Sequence, residues 1–364
     1  MSRVFGGGEQ VLANLAIGFN KKGYDVEVIL REELKPVINR MPLEIKITYF
    51  KAKNKWFYWF FLGFHLLFSR PNFLLSGGAV SNGTIILANI MALKPARVII
   101  IEHDAGAIRF GNAIRFGNYK RNWQKRFRDN LILKLYRLAD EIVAVSKEVG
   151  EGLHIITGIK KERIKCIYNP LDLDEIRSKS KLPISHPWLN QKEIPVIITT
   201  CRLSLDKDIP TLLRAFAKIR KVRKAKLIII GEGYRRLEFE TLVCELNIGD
   251  DVDMPGFVEN VYNYMSNASV FALASNMEGF GLVLVEAMAC GCQVVSTDTR
   301  SGPREVLEDG KYGKLVPVKD SEALARSINE VLDGSIVPQQ LIQERADFFS
   351  MDKAINQYID LFQN

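Results

Sequence analysis

Two glutamates eight positions apart frame the segment of this chain best equipped for chemistry. It reads Glu278-Gly-Phe-Gly-Leu-Val-Leu-Val-Glu286 and continues Ala-Met-Ala-Cys-Gly-Cys-Gln-Val-Val. The pattern is a glycine turn, a helix and a strand. Gly279 and Gly281 let backbone approach a ligand closely, and the free amides of a helix start attract an anion such as a diphosphate. If the stretch were helical throughout, the two carboxylates would stand about 12 Å apart along the axis. That exceeds the roughly 5–9.5 Å of a pair working on one glycosidic bond. It suits two grips on one long ligand, one near a sugar and one near a ribose, because carboxylates accept strongly from hydroxyls. The same spacing also fits a plain helix, with Glu278 in its first turn as a dipole partner and Glu286 facing solvent.

A second cluster is Thr200-Cys-Arg-Leu-Ser-Leu-Asp-Lys-Asp208, between a strand and a helix. Arg202 offers a planar fork and Lys207 a point charge, a pair suited to a diphosphate; a capping loop with two solvated bases is the plainer alternative. Gly231-Glu-Gly233 follows another strand but lacks the further glycine of a dinucleotide fingerprint, so it predicts a tight turn. His103, in Glu102-His-Asp104, ends a strand where ligands gather in open α/β sheets. Ser76-Gly77-Gly78 ends another and could shape an acceptor side.

These residues need a scaffold, and the pattern supplies one. Strands are expected at Val26–Leu30, Ile45–Tyr49, Phe73–Ser76, Val98–Glu102, Glu141–Val145 and Ile164–Tyr168, then at Val196–Thr200, Leu227–Ile230, Val252–Met254, Val270–Ala272, Val294–Ser296 and Lys314–Val316. Helical patterns fall between most of them, among them Glu9–Lys22, Ile209–Val222, Leu237–Leu246, Leu282–Ala289 and Ser321–Leu332. The alternation predicts an α/β chain of two doubly wound, Rossmann-like domains facing a cleft. The expected division is 1–175, 190–345, and a final helix over 346–364 packing back toward the first domain. The Ser- and Pro-bearing stretch from Asp172 to Ile194 is read as the linker. Only Met1 to Phe5 precede the glycine turn Gly6–Gly8, so the central first strand of domain one is expected to be missing, with the natural start upstream or the product truncated.

Composition narrows the classes. The 364 residues are 47% hydrophobic and 25% charged, as in an ordinary globular enzyme, and 50 lysines and arginines exceed 42 acids by 8. A basic balance favours anionic partners without choosing among nucleotide, nucleic acid and membrane. Five cysteines with scattered spacing predict free thiols, and the Cys290–Cys292 pair has no second pair or nearby histidine to complete a metal site. Asp172-Leu-Asp174 and Asp251-Val-Asp253 imitate a cation-binding D-x-D, yet they fall in the linker and at a strand start, where turn roles are expected. His65, His103, His154 and His186 show no ligand spacing, so no metal is expected. Trp56–Phe68 is too short to span a bilayer. A buried helix is the favoured reading, and a membrane-touching patch is the other, since Lys51, Lys53 and Lys55 precede its aromatics.

In the second half, CRLSLDKDIPTLLRAF, LIIIGEGYRRLE, MPGFVENVYNYMSNASVFALAS, MEGFGLVLVEAMACGCQVVSTD and SGPREVLEDGKYGKLVP resemble the retaining, nucleotide-sugar-dependent glycosyltransferases of GT-B fold, the glycosyl transferases group one (family four). The resemblance runs from about Val196 to Val318. It is weaker in the first half, through GGGEQVLANLAIGFNKKGYDVEV, IVAVSKEVGEGL and IKCIYNPLD. It implies that Arg202 and Lys207 bind the donor diphosphate and Glu286 the ribose. Glu278 would lie against the sugar, with the amides of Gly279, Phe280 and Gly281 and the helix start at Leu282 nearby. Phe257 and Val258 would line the base pocket, Gly7 and Gly8 would close over the diphosphate, and His103 would contact the sugar or acceptor. It also implies a metal-independent hexosyltransferase with no cofactor, a UDP-sugar ahead of a GDP-sugar as donor, and a glycan or lipid-diphosphate-linked acceptor in cell-surface polysaccharide or glycoconjugate synthesis. Cys201 departs from the pattern by replacing the usual glycine before the arginine.

Between Arg109 and Arg137 nine bases stand against one acid, Asp129, with Phe110, Phe116, Tyr119, Trp123 and Phe127 interleaved. An anionic membrane surface at the cytoplasmic face is one expectation for this stretch and a solvated basic loop the other. Two further rivals are a sugar-nucleotide epimerase of the same architecture and a non-catalytic donor-binding subunit. A nucleic-acid partner is not expected, because no recognition-module motif appears.

Overall fold

Runs of β-branched residues with apolar neighbours on both faces build the sheets. Val98–Ile101 and Val196–Thr199 are each buried along their whole length, as strands covered on both sides must be. The computed structural model describes residues 7–31, 38–50, 58–103, 132–190, 193–299 and 301–363. It divides into one unit of Met1–Leu171 with Met351–Asn364, and a second of Asp172–Ser350.

In the first unit the strands are β1 (Glu27–Leu30), β2 (Lys46–Tyr49), β3 (Phe73–Gly77), β4 (Arg97–Glu102), β5 (Glu141–Ala144) and β6 (Ile164–Cys166). β3-β4-β5-β6 form one parallel sheet, and β1-β2 form a separate parallel pair. Met1 to Phe5, too few for the central first strand that is expected to be missing, lie outside the described residues. Tyr136, Ile142, Ile100 and Leu153 sit at the centre of the core. The helix Lys147–Thr157 shows why its bounds are sharp: Ser146 Oγ accepts from the Val149 amide, and Gly158 at φ +66° turns the chain out.

The helix Met351–Gln363 completes this unit. It packs on the helix Gly7–Lys21, where the absent side chain of Gly18 leaves room for Ile355. Phe362 stacks on Phe73 with centroids 4.1 Å apart. The helix expected over 346–364 is Met351–Gln363, which belongs to the first unit, and the separate helix Gln339–Asp347 before it belongs to the second.

In the second unit the strands are β7 (Val196–Thr200), β8 (Lys226–Ile230), β9 (Val252–Gly256), β10 (Val270–Leu273), β11 (Val294–Thr297) and β12 (Lys314–Val316). All are parallel, in the order β12-β11-β10-β7-β8-β9. The order reverses between β7 and β10, so the crevice for a ligand opens at their carboxyl ends. β9 extends past its expected end at Met254 through Pro255, which an edge strand tolerates, with a register shift beside Ile228 and Ile230.

The stretch expected as a linker is built into the second unit. Asp172 caps the helix Leu173–Ser180 by accepting from the Glu175 amide at 3.0 Å. Asn260, Asn263 and Ser266 then donate to the carbonyls of Lys179, Pro183 and Ser180 at 2.8–2.9 Å. Side chains on one neighbouring segment thus satisfy a backbone that its own sequence leaves irregular. Of the nine bases from Arg109 to Arg137, only Lys134 and Arg137 fall within the described residues.

Candidate active site

The loop after β7 carries Arg202 and Lys207, and backbone contacts hold it. Cys201 N–H donates to the Ile230 carbonyl and Leu203 N–H to that of Glu232, both at 3.0 Å. The loop lies so close to Gly231 and Gly233 that a Cβ there would stand 2.0 Å from the Cys201 carbonyl oxygen and 2.2 Å from that of Leu203. The Gly-Glu-Gly turn thus acts by admitting a neighbouring backbone, and Cys201 is accommodated because Gly231 leaves it space. Leu205–Lys207 form a short 3-10 turn, and Asp208 at φ +42° redirects the chain into the helix Ile209–Val222.

The loop after β10 meets it. Lys207 Nζ donates to Glu278 Oε1 at 2.6 Å, with the two side chains 19% and 11% exposed. Ser275 Oγ donates to the same carboxylate oxygen at 2.6 Å, and Asn276 N–H to the Asp206 carbonyl at 2.8 Å. Ser301 Oγ donates to the Glu278 carbonyl. Burial alone would lower the Lys207 pKa, but the Glu278 charge and hydrogen bond outweigh it and hold the ammonium above the ordinary lysine range. Asp206 is held below its ordinary range: burial pushes it up, but the Ser204 hydroxyl and the Lys207 charge prevail. Arg202 lies exposed beside this set and makes no ion pair among the described residues.

Glu278 precedes the helix Leu282–Ala289 and is not part of its first turn. The stretch is therefore not helical throughout: the 12 Å axial separation does not apply, and Glu278 is not a first-turn dipole partner. Gly281, at φ +85°, is the N-cap that turns the chain into the helix, and Leu282 is its first residue, half-buried. Gly279 sits half-buried in the loop. Phe280 faces inward instead, its ring 5.3 Å from that of Phe349, so only its backbone can serve a ligand. Glu286 is 8% exposed, which excludes the solvent-facing alternative. Phe257 and Val258 follow Gly256 at the carboxyl end of β9, Phe257 at 77% exposure and Val258 half-buried.

In the first unit, His103 directly follows β4 with its ring over Gly77, where a Cβ would come within 2.3 Å of Nε2. Neither ring nitrogen is paired among the described residues, nor is the buried Asn169 Oδ1. Burial brings the His103 pKa down to about 4, although Asn169 opposes the shift, so the imidazole is neutral at pH 7. A buried network that the sequence reading missed lies beside it. Tyr136 Oη donates to Glu102 Oε2 at 2.7 Å, Asn82 Nδ2 to Tyr136 Oη at 3.0 Å, and Ser76 Oγ to Asn82 Oδ1 at 2.6 Å. Its only signal was the position of Ser76 and Glu102 at two strand ends. Gly7 and Gly8 open the helix Gly7–Lys21 and are not the loop expected there; Gly6 lies outside the described residues.

The remaining candidates have structural work. Asp172 is a helix cap, Asp251 Oδ2 accepts from Arg220 Nε at 2.6 Å, and Asp253 Oδ2 pairs with His186 Nε2 at 2.9 Å. Cys290 and Cys292 are buried, and that burial pushes both thiols up, Cys292 to about 12, which keeps them from acting as nucleophiles.

Residues 183–347 match the family described as Glycosyl transferases group 1, and residues 5–175 match Glycosyltransferase Family 4. The chain belongs to the group 1 glycosyltransferases. A Campylobacter jejuni relative, N-acetylgalactosamine-N,N'-diacetylbacillosaminyl-diphospho-undecaprenol 4-alpha-N-acetylgalactosaminyltransferase, is 36% identical over 59% of this chain and 56% of its own. Bacillus anthracis N-acetyl-alpha-D-glucosaminyl L-malate synthase is 28% identical over 64% of this chain and 62% of its own. The match thus spans less than two thirds of either relative. Among solved structures, Anabaena HepE in complex with UDP-glucose superposes with a TM-score of 0.80 at 19% identity, covering 100% of this chain and 97% of that one. Sucrose-phosphate synthase from Thermosynechococcus elongatus gives 0.75 at 20% identity, over 98% and 93%. The group 1 chain therefore shares the GT-B fold of these enzymes. In a group 1 chain, the Lys207–Glu278 pair spans the two loops that flank the sheet's reversal point, where the fold places a ligand.

Proposed function

We propose that this protein is a retaining, metal-independent glycosyltransferase. It moves a hexose-type sugar from a UDP-sugar to a glycan or lipid-diphosphate-linked acceptor in polysaccharide or glycoconjugate synthesis. The observation that carries the reading is the coupling of Lys207 to Glu278, with Arg202, which makes no ion pair among the described residues, beside it, at the carboxyl ends of β7 and β10. Arg202 and Lys207 bind the diphosphate as a fork and a point charge, and the buried Glu286 takes the ribose hydroxyls. UDP is favoured because the Anabaena relative was solved with UDP-glucose. A lipid-diphosphate acceptor is favoured because the Campylobacter relative is named for a diphospho-undecaprenol substrate.

In the reaction, the bond from the sugar C1 to the phosphate oxygen breaks, and negative charge grows on the departing nucleoside diphosphate. Arg202, Lys207 and the amides at the start of the helix Leu282–Ala289 stabilise that charge. The acceptor hydroxyl attacks C1 from the face the phosphate leaves, its oxygen bonds to C1, and its proton passes to the freed phosphate oxygen. Two fixed cations thus supply what a divalent ion would otherwise provide.

A thermal-shift panel of nucleoside diphosphates and nucleotide sugars tests the donor. UDP and a UDP-sugar should raise the melting temperature of the second unit, and GDP should not. A panel in which no uridine nucleotide shifts the melt overturns the donor reading. Arg202→Ala should lower kcat about 10²–10³-fold with a smaller change in KM; an unchanged kcat removes Arg202 from the mechanism.

A further inference from the structure

The helix Tyr58–Ser69 corrects the expectation of a buried helix, because only one of its faces is covered. Leu62, Gly63 and Leu66 are buried, and Gly63 sits so close to the helix Ala79–Met91 that a Cβ would strike the Met91 side chain. His65 fixes the rotation of the helix: its Nε2 pairs with Glu27 Oε2 on β1 at 3.0 Å, and its ring meets Phe50 edge-on at 5.4 Å. Phe60, Phe64 and Phe68, spaced by four, are left on the outer face with Phe61, at 48%, 57%, 72% and 48% exposure. Phe61, Phe64 and Phe68 also border a groove of about 450 Å³ with Phe50. Leaving four large aromatics in water needs a reason.

The charge around them points to the occupant. From residue 45 to 101 the sequence has seven lysines and arginines and no aspartate or glutamate. Arg70, directly after the helix, and Lys94, after the helix Ala79–Met91, are exposed and make no ion pair among the described residues. The first unit as a whole holds 28 of the 50 bases and 16 of the 42 acids, so the chain's whole basic excess lies in it and the second unit is net acidic. The helix has 12 residues, about 18 Å at 1.5 Å per residue, against about 30 Å of hydrocarbon. Among the described residues no helix is long and apolar enough to cross a membrane.

We infer that the outer face of Tyr58–Ser69 is a docking surface for an anionic phospholipid bilayer. The helix lies in the interface plane, with Phe60, Phe61, Phe64 and Phe68 inserted at the headgroup–acyl boundary and Arg70 and Lys94 facing lipid phosphates. The inference holds whatever sugar the protein transfers and whether or not the acceptor is lipid-linked.

Sedimentation of the full chain with phosphatidylcholine vesicles, with or without one third phosphatidylglycerol, tests it. The wild type should pellet with the anionic vesicles. Phe64→Ser with Phe68→Ser should lower partitioning about tenfold or more. Arg70→Glu with Lys94→Glu should abolish the preference for phosphatidylglycerol. Phe60→Ser with Phe61→Ser repeats the test if the first pair fails to fold, as judged by a circular dichroism melt. Three results overturn the proposal: wild type that stays in the supernatant with both vesicles, serine variants that pellet like wild type, or a dimer in gel filtration that the serine variants turn into monomer.

Discussion

The carboxyl end of β7 and β10 in one unit and that of β3 and β4 in the other differ in how their polar groups are satisfied. In the second unit the groups brought together are already paired. Lys207 holds Glu278, Ser275 supports the same carboxylate, and Asn276 ties the two loops through the Asp206 carbonyl. In the first unit a paired network from Ser76 to Glu102 ends beside a histidine whose two ring nitrogens, like Asn169 Oδ1, have no partner among the described residues. Leaving such groups buried costs free energy. The contrast separates a site organised before its ligand arrives from one whose hydrogen bonds await a ligand or a neighbouring segment. The first kind should lose function when any prop is removed, and the second should reveal itself through proton uptake and ligand-dependent stability.

The largest expected effect breaks the organised side. Lys207→Ala leaves Glu278 desolvated and unpaired and removes one cation from the diphosphate. It should lower kcat/KM about a thousandfold and destabilise the second unit by on the order of 3 kcal/mol, read by steady-state kinetics and a urea melt. A stable variant with full activity would show that the pair is incidental. Gly233→Ala comes next. Its Cβ meets the Leu203 carbonyl at 2.2 Å, so the Arg202 loop must move, and turnover should fall about a hundredfold without any charge being altered. An unchanged kcat would mean that loop position is not critical.

Glu286→Gln should act on binding. It exchanges a charged acceptor for a neutral one, raising the donor KM about tenfold while kcat stays within a factor of two. A fall in kcat alone would place Glu286 at the reacting sugar and not at the ribose.

The smallest effect sharpens the other side. The folded-state pKa of His103, about 4, lies below the 6.5 of an ordinary histidine because the ring is buried. The unfolded chain therefore binds more protons between those values, and stability is full above about pH 6.5 and declines as pH falls toward 4. His103→Gln should flatten that slope of melting temperature against pH by a few degrees. A variant with the wild-type slope would show that His103 is solvated.

Much of the scaffold was legible because buried parallel strands and amphipathic helices write their period into the chain. Val196–Thr200, Ile209–Val222, Leu282–Ala289, Lys314–Val316 and Ser321–Leu332 have the bounds that apolar spacing predicts. The misreadings fall where tertiary partners decide. The 172–194 stretch has no periodicity because Asn260, Asn263 and Ser266 supply its hydrogen bonds from elsewhere. Tyr58–Ser69 is apolar on every side, so its sequence hides which face is bare. At the site, Arg202, Lys207 and Glu278 were visible as residue types at strand ends. Their pairing was not, because 71 positions separate Lys207 from Glu278 and only the β7–β10 juxtaposition joins them. The Gly-Glu-Gly turn read as punctuation, since nothing local records that its missing side chains admit the 201–203 backbone.

The packing of Met351–Gln363 on Gly7–Lys21 also bears on biosynthesis. A ribosome emits residues 172–350 as an unbroken run that can fold while translation continues. The first unit must wait, with the bed for Ile355 and Phe362 uncovered, until Met351–Gln363 emerges. Chaperone dependence and premature proteolysis should therefore concentrate in the amino-terminal portion of nascent chains.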